Sequence, residues 1–168
     1  VNNNFEGFEA YLQPVFDSTT NSIYGAESLM RFRTEEFGMI SPVEFIPLLE
    51  EYKVNATLFL ISSWYPTSKF QSEYMEIASH THLLHTPGVC SGGQGSPLKC
   101  LEKTKLVADL KQSRETLNGT TAFCYPFYQY SNTAIKAIKD LGFKLAFESG
   151  NVKATRNNDK YKVPRMVY

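Results

Sequence analysis

The order of apolar and polar positions divides the chain into short strands separated by helices. Residues 74–78 alternate between polar and apolar side chains, as a half-buried strand does. Residues 56–61 form a continuous apolar run, which predicts a strand buried on both faces of a parallel sheet. Further strands are expected at residues 8–16, 23–32, 121–125, 144–149 and 161–168.

Helix signals lie between these strands. Ser41-Pro42-Val43-Glu44 predicts a helix start, with a Ser cap and Pro at the first helical position, and this helix should run to about Tyr52. Residues 99–117 predict an amphipathic helix that ends at Asn118-Gly119. Ser131 should cap a third helix, which ends at Leu141 before Gly142. This alternation predicts one α/β domain over residues 1–168, an incomplete or distorted (β/α) barrel with a mainly parallel sheet.

Composition narrows the possible partners. The formal net charge is +0, so we expect no electrostatic binding of nucleic acid. No apolar run is long enough to span a membrane, and we expect no membrane span in this chain. Aromatic residues make up 14% of the chain, which suits stacking on sugar rings but equally an ordinary core.

Three cysteines are present. Cys90 and Cys100 bracket a glycine-rich segment that would let them meet as a disulfide, whereas two reduced, buried thiols are the alternative. Cys124 falls in a predicted strand. Spacing alone does not decide the pairing.

All three histidines fall within six consecutive residues, at the end of the strand predicted for residues 74–78. Such a cluster is typical of a metal site or an acid–base site, whereas one core histidine and two solvated ones would be the ordinary alternative. We expect His80 and His85 to turn inward and bind a metal. His82 should point away or support the pair from behind.

From about residue 52 to residue 168 the chain resembles the polysaccharide deacetylases of the chitooligosaccharide and poly-N-acetylglucosamine deacetylase superfamily. Five ordered stretches carry the resemblance: Ala56–Ile61, Met75–Thr81 with His85, Phe123–Phe127, Lys139–Phe147 and Tyr161–Arg165.

This resemblance implies a hydrolase that removes acetyl groups from an acetylated polysaccharide or oligosaccharide outside the cytoplasm, in the cell envelope or secreted. His80 and His85 would then bind a divalent metal, most commonly Zn²⁺, with Co²⁺ or Ni²⁺ as alternatives. The backbone N–H of Phe127 matches the position that stabilises the oxyanion. Tyr125, Pro126 and Tyr128 would contact the substrate.

The chain departs from the family pattern at its opening. The family begins with Thr-Phe-Asp-Asp, whose first Asp is the general base and whose second binds the metal, and this sequence is absent here. Cys124 stands where the family often has Arg, and Tyr128 where it often has Gly.

Residues 8–51 instead resemble the start of an EAL-type cyclic-di-GMP phosphodiesterase domain. The matching stretches are Tyr11–Val15, Gly25–Arg31 and Ile40–Glu50. In that family the matching Glu27 would bind a metal and Arg31 a nucleotide phosphate. The later acidic motifs have no counterpart here, so the chain resembles a chimera joined within residues 47–54.

We therefore expect Glu27 to stand in for the missing Asp, both as a metal ligand with His80 and His85 and as a catalytic carboxylate. The leading function is a metal-dependent carbohydrate deacetylase, impaired by the absent Asp-Asp pair. The alternatives are a non-catalytic barrel module that binds sugar or a partner, and a cyclic-di-GMP phosphodiesterase or sensor.

Overall fold

The computed structural model describes the backbone of residues 8–16, 23–34 and 38–39, and both backbone and side chains of residues 46–47, 49–51, 53, 55–150 and 152–165. The chain divides into two compact units. One comprises residues 1–57, 69–76 and 168, and the other comprises residues 58–68 and 77–167.

An antiparallel sheet of three strands forms most of the described part of the first unit. Its strands are β1 (Phe8–Phe16), β2 (Ile23–Thr34) and β3 (Gly38–Met39), in the order β1-β2-β3. Gln13 pairs with Glu27 across β1 and β2. Pro14 lies in the outer strand β1, where a residue without an N–H is tolerated. Residues 46–47 and 49–51 are helical, within the helix predicted after Ser41.

A second sheet of five strands follows the order of the chain. The strands are β4 (Ala56–Leu60), β5 (Met75–Ser79), β6 (Ala122–Cys124), β7 (Leu145–Ser149) and β8 (Val163–Arg165). The pairs β5–β6, β6–β7 and β7–β8 are parallel. In the part of the chain that the structure describes, the outer strands β4 and β8 are not paired with each other. The prediction of an α/β fold with an incomplete barrel is confirmed.

Strand β4 differs from its prediction. It ends at Leu60, and its first four residues are only half buried, so the expectation of a strand buried on both faces is wrong. The reason is its place in the sheet, because β4 is an outer strand. The continuous apolar run identified the strand but not its neighbours.

Two helices connect the inner strands: α1 (Lys103–Thr116) and α2 (Asn132–Asp140). The start of α1 lies later than predicted, because Pro97–Lys99 form a separate 3₁₀ turn capped by Ser96. The predicted cap of α2 is confirmed, since the Ser131 side chain accepts a hydrogen bond from the Ala134 N–H.

The core of the second unit lies between these helices and strands β6 and β7. Leu106 and Leu110 of α1 are fully buried against Phe123 of β6 and Ile138 of α2. Each such side chain contributes about 1.5–3 kcal/mol by leaving water. A hydrogen bond of 2.8 Å between the buried hydroxyls of Ser79 and Ser113 links β5 to α1. This core fixes the ends of β5 and β6, from which the loops described below emerge.

Candidate active site

The loops after β4, β5 and β6 carry the residues of interest, at the carboxyl ends of neighbouring parallel strands. The histidine loop, residues 80–85, follows β5 directly. The aromatic turn, residues 125–128, follows β6. Parallel strands bring such loops to one edge of a sheet, which is where barrel enzymes concentrate their function.

His80 is oriented by the backbone of β6. Its Nδ1 lies 2.8 Å from the Cys124 carbonyl oxygen. Because a carbonyl only accepts, Nδ1 carries the proton and Nε2 keeps the lone pair that a metal needs. The pKa of His80 is lowered to about 4, mainly by burial; the hydrogen bond to the Cys124 carbonyl opposes this shift, and the proximity of His85 and Arg165 adds to it. The ring is therefore neutral at physiological pH, as a ligand must be.

His85 closes on His80 from the far end of the same loop. The two ring centroids lie 4.8 Å apart. The His85 ring also contacts the rings of Phe127 at 4.4 Å and Trp64 at 5.7 Å. Burial lowers the pKa of His85 as well. Both imidazoles are thus held in the uncharged form.

The spacing of the pair suits one cation. Two imidazoles that each place a nitrogen about 2.1 Å from a single Zn²⁺ have ring centroids roughly 5 Å apart, and the observed separation is 4.8 Å. Among the residues whose side chains the structure describes, no group of three His, Cys, Asp or Glu side chains could hold a metal. The two neutral rings of His80 and His85 have the separation that two ligands of one cation need. The side chains of Glu27 and Arg31 lie outside the described residues, and the roles expected for them stay predictions.

His82 does not join this pair. Its Nδ1 lies 2.9 Å from the Ser62 hydroxyl, in the loop after β4. The Ser63 hydroxyl donates to the His82 carbonyl. These two hydrogen bonds join the histidine loop to the loop after β4, so His82 supports the site through the position of the backbone.

Asp109 of α1 holds the middle of the histidine loop. Its two carboxylate oxygens accept the N–H groups of His82 at 2.9 Å and Leu83 at 2.7 Å. Hydrogen bonds to an ionised carboxylate are stronger than neutral ones. Asp109 therefore restrains the segment that sets the distance between His80 and His85.

The aromatic turn adopts a strained backbone. Phe127 and Tyr128 both have φ of 55°, which non-glycine residues rarely adopt. Strain of this kind persists only where the surroundings impose it, and it concentrates at functional sites. The Phe127 ring contacts His85, so the turn stands beside the histidine pair.

The substrate contacts expected from the sequence fall on side chains of very different exposure. Tyr125 and Pro126 are fully buried, and the Tyr125 hydroxyl donates to the Tyr161 carbonyl. Tyr128 is 37% exposed. Of these three side chains, only Tyr128 is open to a molecule arriving from solvent.

Arg165, at the end of β8, contacts the residue before the aromatic turn and the last residue of the turn. Its Nη2 lies 3.0 Å from the Cys124 sulfur and 3.4 Å from the Tyr128 hydroxyl. Its guanidinium also lies over the rings of Phe59 and Tyr128. The thiol that replaces the family's usual Arg is thus in contact with an arginine from another strand.

Cys90 and Cys100 form a disulfide, with Cα atoms 5.9 Å apart. The disulfide loop, residues 90–100, reaches both the residue that follows the aromatic turn and the start of α2. The Ser96 N–H donates to the Gln129 side chain, and the Ser131 N–H donates to the Leu98 carbonyl. This loop therefore helps to hold the turn in place.

Sequence reasoning did not find Asp109, Ser62 or Trp64. A usable signal existed for two of them, because Ser62 and Trp64 follow the apolar run of β4, the strand next to the histidine strand. Asp109 had no comparable signal, since it is one of several charged residues on an amphipathic helix.

Fold and site together define a class: an α/β protein of the barrel type that carries a pair of neutral imidazoles at the carboxyl ends of its parallel strands. Residues 41–146, more than half of the chain, match the family model of polysaccharide deacetylases. The chain therefore belongs to the polysaccharide deacetylase family. Residues 2–63 also match the model of the EAL domain, so the two matches overlap at residues 41–63.

Curated relatives include proteins named for each of the two matched families. A poly-β-1,6-N-acetyl-D-glucosamine N-deacetylase of Staphylococcus aureus strain MSSA476 is 25% identical over 141 residues, covering 72% of this chain and 48% of that protein. The chain thus spans about half the length of the curated deacetylases that it matches. A cyclic di-GMP phosphodiesterase of Pseudomonas aeruginosa is 39% identical over 59 residues, which is 35% of this chain and 10% of that protein.

A solved structure supports the fold. The BpsB deacetylase domain from Bordetella bronchiseptica superposes with a TM-score of 0.62 at 14% identity, covering 73% of this chain and 64% of that chain. At this identity the likeness shows the fold alone.

Proposed function

We propose that this chain removes acetyl groups from an N-acetylated glucosamine polymer with the help of a divalent cation bound by His80 and His85. The observation that carries the proposal is the pair itself, with ring centroids 4.8 Å apart and Nδ1 of His80 hydrogen-bonded to the Cys124 carbonyl. The S. aureus relative acts on poly-β-1,6-N-acetyl-D-glucosamine, and we extend that substrate class to this chain.

A bound cation would supply Lewis-acid polarisation of the acetyl carbonyl and lower the pKa of a water molecule. The chain's own residues supply the geometry. His80 and His85 present neutral nitrogens, and burial of both rings keeps protons from competing for them. The Phe127 N–H, in the strained turn beside His85, donates to the oxyanion that develops when water attacks the acetyl carbon. Tyr128 contacts the sugar.

The carboxylate of the site is proposed to be Glu27, on sequence grounds alone. The usual Asp-Asp opening is absent from the sequence, so Glu27 would have to serve both as ligand and as base. A misplaced catalytic group can cost about a hundredfold in rate. We therefore propose an enzyme with low turnover. The Glu27→Ala variant tests the assignment, because unchanged metal affinity would remove Glu27 from the site.

The three histidines provide an internal control for the metal. The protein is titrated with Co²⁺ while the visible absorption of the cation is followed, and with Zn²⁺ by calorimetry. His80→Asn and His85→Asn should each weaken binding by at least about tenfold, since each removes one ligand. His82→Asn should bind as the natural chain does, because His82 contributes no atom to the proposed site and asparagine keeps a polar atom where Nδ1 contacts the Ser62 hydroxyl. Equal affinity in all three variants would refute the metal site.

Release of acetate from a β-1,6-linked N-acetylglucosamine tetramer then tests the reaction. The tetramer is incubated with the Zn²⁺, Co²⁺ and Ni²⁺ forms, and acetate is measured enzymatically. The deacetylase proposal is supported if the His80→Asn variant releases no acetate and the His82→Asn variant still does. Metal binding without acetate release would instead support a sugar-binding module.

That module is the second candidate function, and the absence of the Asp-Asp opening favours it. A cyclic-di-GMP phosphodiesterase or sensor is a third candidate, which rests on the EAL match at residues 2–63. Calorimetry with the cyclic dinucleotide tests it directly.

We also propose that the chain works outside the cytoplasm. The Cys90–Cys100 disulfide supports this location, since such bonds persist mainly in oxidising compartments. In the described part of the chain, no helix has the length and apolarity needed to cross a bilayer.

A further inference from the structure

Large apolar side chains are exposed on two loops of the candidate site. Trp64 is 57% exposed and Tyr65 is 49% exposed, in the loop after β4. Leu83, in the histidine loop, is 61% exposed. Exposed apolar groups that cluster beside a functional pair commonly mark the place where a ligand binds.

Trp64 is held in a fixed position by its surroundings. The backbone N–H of Trp64 donates to the Ile61 carbonyl at 3.0 Å, which closes a turn directly after β4. The Ser62 N–H donates to the Thr81 carbonyl at 3.1 Å, joining that turn to the histidine loop. The indole then meets the His85 ring edge to face, with centroids 5.7 Å apart. An exposed aromatic ring is thus fixed next to a proposed metal ligand.

We propose that Trp64 is the platform on which a pyranose ring of the substrate stacks, so that the acetyl group of that sugar reaches His80 and His85. The axial C–H groups of a pyranose form an apolar face, and the negative face of an indole ring attracts their partial positive charge. The indole N–H can donate to a sugar hydroxyl at the ring edge. The proposal rests on the function proposed above, and it identifies a residue that determines specificity.

The size and border of the surface favour a sugar over a protein. The exposed Ser63 precedes the aromatic pair in the sequence, and the exposed large apolar side chains of the loop after β4 and of the histidine loop are Trp64, Tyr65 and Leu83. A stable protein interface usually needs about 800 Å² per partner, which three side chains do not provide. A single sugar ring matches one indole in size.

Trp64 is the only tryptophan of the chain, so its fluorescence reports on this position alone. Metal-free protein is titrated with the N-acetylglucosamine tetramer while the emission spectrum is recorded. We expect a saturable shift to shorter wavelength, because a stacked sugar removes water from the indole. An unchanged spectrum at saturation, or no binding at all, would overturn the proposal.

Binding constants of variants give a second measurement. Calorimetry with the tetramer should show roughly tenfold weaker binding for Trp64→Ala, and Trp64→Phe should recover part of the loss because it keeps an aromatic face. Leu145→Ala is the matched control, since Leu145 is 40% exposed at the start of β7 and thus at the opposite edge of the parallel sheet. Equal binding by all three variants would refute the platform.

Kinetics separate this proposal from the proposed function. A stacking role should raise KM in Trp64→Ala and leave kcat within about twofold, because uniform binding is lost. Trp64-dependent binding without acetate release would leave the platform standing and refute the deacetylase. Acetate release with the same KM in every variant would refute the platform and leave the deacetylase standing. Self-association that only Trp64→Ala abolishes, without an effect on sugar binding, would assign the surface to a second copy of the chain and overturn the platform.

Discussion

The restraint that the Asp109 carboxylate imposes on the histidine loop can be tested by removing that carboxylate. Asp109→Ala deletes both acceptors of the N–H groups of His82 and Leu83, whose hydrogen bonds measure 2.9 and 2.7 Å. A hydrogen bond to a charged group contributes about 1.5–3 kcal/mol, and the low end applies because Asp109 is half buried. Alanine is a better helix former than aspartate by up to about 0.7 kcal/mol, which offsets part of the loss in α1. We expect the free energy of unfolding to fall by about 2 kcal/mol.

Urea unfolding followed by circular dichroism measures this change, and Co²⁺ titration measures its effect on the site. The loop between the two proposed ligands should loosen, so Co²⁺ affinity should fall by at least about tenfold. Glu115→Ala is the control on the same helix. Glu115 is exposed and paired only with Lys111 at 3.8 Å, so its removal should change stability by less than about 0.5 kcal/mol. If Asp109→Ala matches Glu115→Ala in both assays, Asp109 does not hold the loop.

Three further predictions concern stability. The folded-state pKa of His80 lies at about 4, below its ordinary value of 6.5, so the unfolded chain binds more protons between these values. The contribution of His80 to the free energy of unfolding of the metal-free protein should therefore be complete above pH 6.5, and roughly 2–3 kcal/mol of it should be lost as the pH falls to 4. In urea titrations, His80→Gln should show a smaller loss of stability over the same pH range. Leu110→Ala should lower the free energy of unfolding by about 3 kcal/mol, because the side chain is fully buried in the core, and the dependence of that free energy on urea concentration should not change. Ser113→Ala should lower the free energy of unfolding by about 1–2 kcal/mol, because the buried Ser79 hydroxyl loses its partner at 2.8 Å and keeps only the Thr81 N–H, from which it accepts at 3.3 Å; a loss below about 0.5 kcal/mol in urea unfolding would contradict the account.

The fold was predictable where the information is local. The strand before His80 and the cap at Ser131 each depend on a few neighbouring residues, and both predictions are confirmed. The half-buried state of β4 was not predictable, since it depends on which strands lie beside it.

The contact between His80 and His85 was predictable from the sequence, but the groups that hold the two rings in place were not. The spacing of His80 and His85 suggested that they converge, and their rings meet. The carbonyl that orients His80 lies 44 residues away, and the carboxylate that holds His82 lies 27 residues away. Neither has a signature in the sequence, because any residue offers a carbonyl and many helices carry acids on their surface.

Because of the disulfide loop, the redox conditions under which the protein is produced affect the result of any activity assay. Protein made in a reducing cytoplasm would carry two thiols in place of the Cys90–Cys100 bond. The loop that contacts Gln129 and Ser131 would then lack its covalent closure, and the neighbouring turn would lose part of its support. A thiol count in denaturant, which also exposes the buried Cys124, should therefore precede every measurement of turnover, and a sample with three thiols should be reoxidised before it is declared inactive.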